Sequence, residues 1–133
     1  MDVRFPGGVA VEAAFGSHVV RTDQPPPLGE GSAASPFDLF LVSLATCAGF
    51  YALRFCQERG LSTEGLGVTL TTERDPQKKR LSRVLIELAL PAGFPEKYRE
   101  AVLRAADQCA VKKAVLDPPE LEVVTAGSGP EGA

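Results

Sequence analysis

The feature that most constrains the fold of this chain is an apolar segment with helical periodicity between residues 36 and 59. Ser35 suits the N-cap position of such a helix, Pro36 its first position, and Gly60 the position just past its end. Apolar residues recur at helical spacing and also fill much of the opposite side. A helix that is apolar nearly all round must be enclosed by other elements or by a partner chain.

Residues 39–53 of this helix form an uncharged apolar stretch of 15 residues. Crossing a bilayer takes ~20 apolar residues, so the stretch predicts a buried core helix and no membrane association. The N-terminus has no basic segment followed by an apolar one, which predicts that no secretion signal is present. The net charge of −3 gives no electrostatic reason to bind nucleic acid. Three cysteines in a chain with no predicted secretion signal indicate reduced thiols in the cytoplasm.

The segments around the helix predict an α+β fold with antiparallel sheets. Alternating patterns at residues 9–15 and 18–23 predict a hairpin of two strands before the helix. Similar patterns at residues 67–74 and 81–90 predict a second hairpin after it. We expect these elements to form a single domain over residues 1–125.

The C-terminal third predicts a second helix and a last strand. Pro95 opens the helix, which either continues through Cys109 or breaks near it. The later Asp-Pro-Pro sequence stops helical structure, and residues 121–125 have the pattern of a final strand. Residues 126–133 are predicted to be a flexible tail.

The cysteines carry the most specific chemistry in the sequence. Cys47 and Cys56 are nine residues apart on the predicted helix, which places them about 13.5 Å apart along its axis and on opposite sides. A disulfide needs Cα atoms within ~7 Å, so any intrachain pair must use Cys109. Cys56 is therefore interpreted as a packing residue. On composition alone, Cys47 is also more often a packed thiol than a reactive one.

Burial of Cys47 would raise its pKa, so chemistry there needs a nearby cation or hydrogen-bond donors. Arg21 on the second predicted strand is one candidate. Arg54 is another, because it lies near the same helix face, although it could instead pair with Glu58, its i+4 neighbour. Asp38 fits a capping box and the positive end of the helix dipole, which is a structural role first.

Other classes of site find little support in the sequence. A single histidine, His18, and the absence of any Cys-x-x-Cys motif leave too few ligands for a zinc or iron–sulfur site. No phosphate-binding glycine motif follows a predicted strand. We therefore expect neither a metal nor a cofactor.

Two segments of the sequence resemble the OsmC/Ohr family. They are residues 29–47, GEGSAASPFDLFLVSLATC, and residues 109–116, CAVKKAVL. The resemblance implies an intertwined homodimer whose long central helices are packed inside, with thiol sites at the subunit interface. It further implies that Cys47 is the peroxidatic cysteine and Cys109 the resolving cysteine. An external dithiol, lipoyl-type or other, would then reduce the disulfide.

The sequence departs from the organic hydroperoxide resistance branch of that family. Phe37 stands where the branch has a glutamate, and Ala110 stands where a proline usually follows the second cysteine. Asp38 matches an acidic residue of more general OsmC-like members, including the YhfA-like branch. Arg21 is the best match for the branch's catalytic arginine. The resemblance is therefore closer to the general branch.

The resemblance implies a thiol-dependent peroxidase that reduces organic hydroperoxides in oxidative stress defence, with inorganic hydroperoxides as further candidate substrates. The predicted catalytic residues are Cys47, Cys109, Arg21 and Asp38. The alternative is a dimer without peroxidase activity that binds a small apolar or acyl ligand, its cysteines being structural. A third hypothesis, a thiol-disulfide exchanger with no peroxide step, is less favoured because the two cysteines do not form a Cys-x-x-Cys motif. Peroxide turnover distinguishes the first hypothesis from the other two.

Overall fold

The computed structural model describes residues 1–127, so most of the predicted flexible tail at 126–133 lies outside the described residues. A short 3-10 turn, Glu96–Tyr98, precedes the second helix. The order of strands and helices is β1 (Asp2–Gly7), β2 (Ala10–Phe15), β3 (His18–Thr22), α1 (Pro36–Glu58), β4 (Gly67–Asp75), β5 (Arg80–Ala89), α2 (Arg99–Ala106) and α3 (Ala110–Leu116).

The N-terminal sheet has three antiparallel strands in the order β1-β2-β3. The prediction of a two-stranded hairpin was therefore incomplete, although β2, β3 and the turn between them at residues 16–17 are confirmed. The pairing of β1 with β2 is irregular between Arg4 and Gly7. Pro6 lies in this irregular part of an edge strand, where a missing N–H is tolerated. Because of this proline and the two glycines after it, the sequence pattern does not predict β1 as a strand.

The N-terminal sheet is joined to α1 by the proline- and glycine-rich loop, which Asp23 anchors. Its buried carboxylate accepts hydrogen bonds from the Gln24 N–H at 2.8 Å and from the Ser32 N–H and hydroxyl at 3.0 and 2.7 Å. These bonds, chiefly those from Ser32, lower the pKa of Asp23 to about 2. Gly29 packs so closely that an added Cβ would lie 2.2 Å from the Gln24 carbonyl oxygen. The loop therefore leads to α1 along a fixed path.

Helix α1 has the two end signals that the sequence predicts. The Ser35 hydroxyl accepts from the Asp38 N–H at 3.1 Å, and the Asp38 carboxylate accepts from the Ser35 N–H at 3.2 Å. This is a complete capping box. At the other end, Gly60 has a φ of 63°, and the Leu61 N–H donates to the Cys56 carbonyl at 2.9 Å. That bond is characteristic of a Schellman motif.

The main core lies where α1 meets α2 and the second hairpin. Strands β4 and β5 pair antiparallel from Gly67↔Ala89 to Asp75↔Arg80, which confirms the second predicted hairpin. Ala52, Phe55 and Val102 are the buried centre of the cluster. The half-buried residues packed against them are Leu61, Leu66, Leu88, Leu90, Phe94, Tyr98, Ala101 and Ala105.

Residues 1–127 cover only one side of α1. By length and composition α1 could cross a membrane, a property that core helices of soluble proteins share, and 28% of its most apolar stretch is buried. Leu44, Ala48 and Ala52 face the interior, whereas Val42 and Phe50 are 50% and 54% exposed. Other elements of the chain therefore enclose one face of α1, and enclosure of the other face by a partner chain stays a prediction.

Two predictions about the C-terminal third have different outcomes. The helical segment breaks at Cys109, where α2 has ended and α3 has not begun. The predicted final strand at 121–125 is wrong for the described chain, because this segment forms no strand and Val123 is 99% exposed. A strand needs a neighbouring strand to complete its backbone hydrogen bonds, and neither sheet of the described residues includes this segment.

Candidate functional site

The fold brings Cys47 and Cys109 together. Helix α3 packs on α1, and the residues at the start of α3 act on Cys47 in the middle of α1. Cys109 is the N-cap of α3, where its sulfur accepts a hydrogen bond from the Lys112 N–H at 3.4 Å. The Cys109 side chain and the backbone N–H groups of Ala110 and Val111 lie close enough to the Cys47 sulfur to act on its pKa. All three cysteines are free thiols.

The surroundings of the two thiols shift their pKa values in opposite directions. Burial acts to raise the pKa of Cys47, but the hydrogen bonds from Cys109, Val111 and Ala110 outweigh it, so the pKa is lowered. Burial and the hydrogen bond donated to Cys47 raise the pKa of Cys109. Cys47 is therefore the thiol of the pair that ionises first, and the thiolate is the nucleophilic form.

The third thiol, Cys56, lies apart from this pair. It is fully buried, and burial raises its pKa despite the opposing charge of Arg59. Its burial agrees with the packing role predicted from helix geometry.

We predict that the alkylation of the three cysteines in the reduced protein follows the order of their pKa values. As the pH is lowered from 9 to 6, labelling of Cys47 by iodoacetamide should persist longest, because its thiolate survives at pH values where Cys109 and Cys56 are protonated. Peptide mass spectrometry after timed labelling gives the midpoint pH of each cysteine. A Cys47 midpoint at or above that of Cys109 would contradict the assignment.

The structure does not bring the other two predicted site residues to the thiol pair. Asp38 is engaged in the capping box at the start of α1. Arg21 is exposed on β3 and lines a separate depression beside Asp23. Arg54 binds the Gln57 and Glu58 side chains at 2.9 and 3.2 Å, so it does not reach back along the helix.

The donors that act on Cys47 instead come from the start of α3. Two of them are backbone N–H groups, of Ala110 and Val111, which a residue-type pattern cannot reveal. A helix break directly at a cysteine is the only sequence signal that points to them. Within residues 1–127, no cluster of side chains suitable for a metal ion is present.

An apolar groove of about 720 Å³ opens beside the thiol pair, bounded by α1, the β4–β5 hairpin, α2 and α3. Cys109 lines the groove, whereas Cys47 does not and is half-buried next to it. The apolar lining is formed by Phe37, Phe40, Leu44, Ala48, Leu81, Val84, Ile86, Leu88, Leu103, Ala106 and Val115, and the charged lining by Arg74, Lys79, Arg80, Asp107 and Lys112. A volume of this size suits a small organic molecule.

The fold and the site define an α+β protein with two neighbouring cysteines, one within α1 and one at the N-cap of α3. The sequence matches the OsmC-like protein family over residues 29–124, and the chain therefore belongs to that family. This confirms the family that the sequence motifs indicated. No curated protein matches the sequence.

Solved structures share the fold. One from Psychrobacter arcticus, a proposed osmotic stress induced and detoxification response protein, has a TM-score of 0.71 and 24% identity over 85% of each chain. The organic hydroperoxide resistance protein OsmC of Legionella pneumophila has a TM-score of 0.54 and 23% identity over 86% of this chain and 87% of its own. An OsmC-like protein of unknown function from Vibrio cholerae has a TM-score of 0.56 and 14% identity, covering 80% of this chain and 79% of its own.

Proposed function

We propose that this protein is a thiol peroxidase that reduces organic hydroperoxides through Cys47 and Cys109, in defence against oxidative stress. The observation that carries the proposal is that the fold sets Cys47 beside Cys109 and the first N–H groups of α3, which lower the pKa of the Cys47 thiol. A thiolate stabilised in this way is a nucleophile beside its own resolving partner.

The reaction then has two steps within the protein. The Cys47 thiolate attacks one peroxide oxygen, so that an S–O bond forms, the O–O bond breaks, and the alkoxide leaves as the alcohol with the proton from Cys109. The Cys109 thiolate next attacks the sulfenic sulfur of Cys47, forming the disulfide and releasing hydroxide. An external dithiol restores both thiols by exchange. No metal or cofactor takes part in these steps.

The apolar groove favours organic hydroperoxides as substrates over hydrogen peroxide. It opens next to Cys109, and an apolar substituent that binds against its apolar lining is removed from water, which is favourable. Hydrogen peroxide has no such substituent and gains nothing from the groove. The half-buried position of Cys47 leaves its sulfur within reach of a small reacting group.

The proposal predicts the result of adding one equivalent of cumene hydroperoxide to the reduced protein. We expect rapid loss of peroxide with formation of a Cys47–Cys109 disulfide, detected by peptide mass spectrometry without reduction. Hydrogen peroxide, the matched substrate without an apolar group, should react more slowly. If peroxide is not consumed, or if oxidation is scattered and includes Cys56, the proposal fails, and the groove would then be tested for binding of an apolar or acyl ligand.

We further propose that the working protein is an intertwined homodimer. The outer face of α1 is apolar and uncovered within the chain, with Val42 and Phe50 about half exposed. Leu121 and Val123 in the C-terminal segment are 86% and 99% exposed, so this segment also offers apolar side chains that a partner chain could cover. Such a dimer would also enclose the thiol sites.

Light scattering should therefore give twice the chain mass of 14.1 kDa at micromolar concentration. Phe50→Glu places a charge on the uncovered face and should shift the protein toward monomer, because a buried unpaired charge opposes association. Glu58→Gln, an exposed change near the end of the same helix, is the control. A wild-type mass near that of one chain would exclude the dimer.

The three free thiols also suit a reducing compartment, so we place the protein in the cytoplasm. Its reductant would be a small or protein-bound dithiol, lipoyl-type or other. Neither nucleic acid nor a membrane is needed as a partner.

A further inference from the structure

Two side-chain contacts cross the break between α2 and α3, on either side of Cys109. The Lys112 ammonium forms an ion pair with the Asp107 carboxylate. The neighbouring Lys113 ammonium donates to the Gln108 side-chain oxygen at 2.8 Å. Both contacts join a residue in the first turn of α3 to a residue just after α2.

Lys112 also belongs to the short stretch of backbone that contacts the thiols. Its own N–H donates to the Cys109 sulfur at 3.4 Å, and the N–H groups of the two preceding residues, Ala110 and Val111, lie close enough to the Cys47 sulfur to lower its pKa. A rotation of this turn away from α2 would move all of these donors together. The side chain that ties the turn to α2 therefore acts on the geometry at both sulfurs.

We infer that the Asp107–Lys112 ion pair is a positioning device that holds the start of α3 so that Cys109 and the two N–H groups stay directed at Cys47. Its value for catalysis rests on the proposed peroxidase function. The two side chains are 62% and 40% exposed, and exposed pairs contribute little to global stability. Its loss should thus act on the thiol site with little effect on the fold.

A direct effect of charge on Cys47 makes a different prediction from positioning. If the charges acted only through space, removing the Lys112 cation would raise the Cys47 pKa and removing the Asp107 anion would lower it. If the pair acts by positioning, loss of either partner frees the turn, weakens the hydrogen bonds to Cys47, and raises its pKa. Asp107→Ala therefore distinguishes the two, because the predicted shifts have opposite signs.

The test is the pH midpoint of Cys47 alkylation in the reduced full-length protein, measured by peptide mass spectrometry. Asp107→Ala and Lys112→Met should each raise the midpoint by about half a pH unit, which lowers the thiolate fraction about threefold below the midpoint. The reversed pair Asp107→Lys/Lys112→Asp should restore most of the wild-type value. Arg104→Met, which removes a pair with Glu100 that lies within α2, should leave the midpoint unchanged.

An unchanged or lower midpoint in Asp107→Ala would overturn the inference, as would a shift of equal size in Arg104→Met. The assay uses no peroxide, so it is independent of the proposed activity. If the wild type fails to consume cumene hydroperoxide while Asp107→Ala raises the midpoint, the positioning role stands and the peroxidase function falls. If the wild type consumes cumene hydroperoxide while Asp107→Ala leaves the midpoint unchanged, the peroxidase function stands and the positioning role falls.

Discussion

Replacing Cys47 by serine is expected to abolish peroxide reduction. A serine hydroxyl has almost the size of the thiol and accepts the same hydrogen bonds, but it does not ionise near neutral pH and is a far weaker nucleophile. Turnover of cumene hydroperoxide with a dithiol reductant should fall by roughly three orders of magnitude, to the uncatalysed background. The measurement is the initial rate of peroxide loss at saturating reductant.

Cys56→Ala is the matched control for this experiment. Cys56 lies on the same helix and is fully buried, but it has no contact with the pair that would give it a chemical role. Its replacement should cost about 1 kcal/mol of stability through lost packing and leave turnover intact. Wild-type turnover in Cys47→Ser, or complete loss in Cys56→Ala with the fold preserved, would contradict the assignment of the nucleophile.

Much of this fold follows from local signals in the sequence. The serine, proline and aspartate at the start of α1 and the glycine at its end fix the helix bounds to within a residue of those observed, because each satisfies backbone groups that a helix end leaves unpaired. The β4–β5 hairpin follows from alternation alone. These features depend on residues close to each other in the chain, which is why pattern analysis finds them.

The remaining features depend on distant partners. Strand β1 contains Pro6 and is followed by Gly8, so nothing local distinguishes it from a loop until β2 pairs with it. The segment 121–125 has the alternation of a strand but joins neither sheet of the described residues. Sequence patterns report what a segment could pair with, and only the tertiary or quaternary structure decides whether the neighbour is there.

At the candidate site, too, some features could be predicted from the sequence and others could not. Helix geometry excludes a Cys47–Cys56 pair, which leaves Cys109 as the only intrachain choice, and the structure does place Cys109 against Cys47. The sequence offers Arg21 and Arg54 as candidate activating side chains, yet the groups that lower the Cys47 pKa are a thiol and two backbone N–H groups. Backbone donors have no residue-type signature, so the sequence could not identify them.

Because Cys109 is the proposed resolving cysteine, its replacement should block a later step of the reaction than replacement of Cys47. Cys109→Ser should react with one equivalent of peroxide and then stop, because the sulfenic acid on Cys47 has no thiol partner. Steady-state turnover with a dithiol should be lost to a large extent, while dimedone should label Cys47 in a single-turnover reaction. Unchanged turnover without a disulfide intermediate would show that Cys109 does not resolve.

Comparing Cys109→Ser with Cys109→Ala separates this resolving role from the structural role of Cys109. Serine is a good N-cap residue and can still donate a hydrogen bond to Cys47, so the start of α3 and the lowered pKa of Cys47 should both survive. Alanine removes the cap acceptor and the donor together, so the Cys47 pKa should rise and even the first oxidation should slow near neutral pH. We therefore expect a fast single oxidation in the serine variant and a slow one in the alanine variant, measured by stopped-flow loss of peroxide. Equal first-step rates in the two variants would mean that Cys109 does not help to activate Cys47.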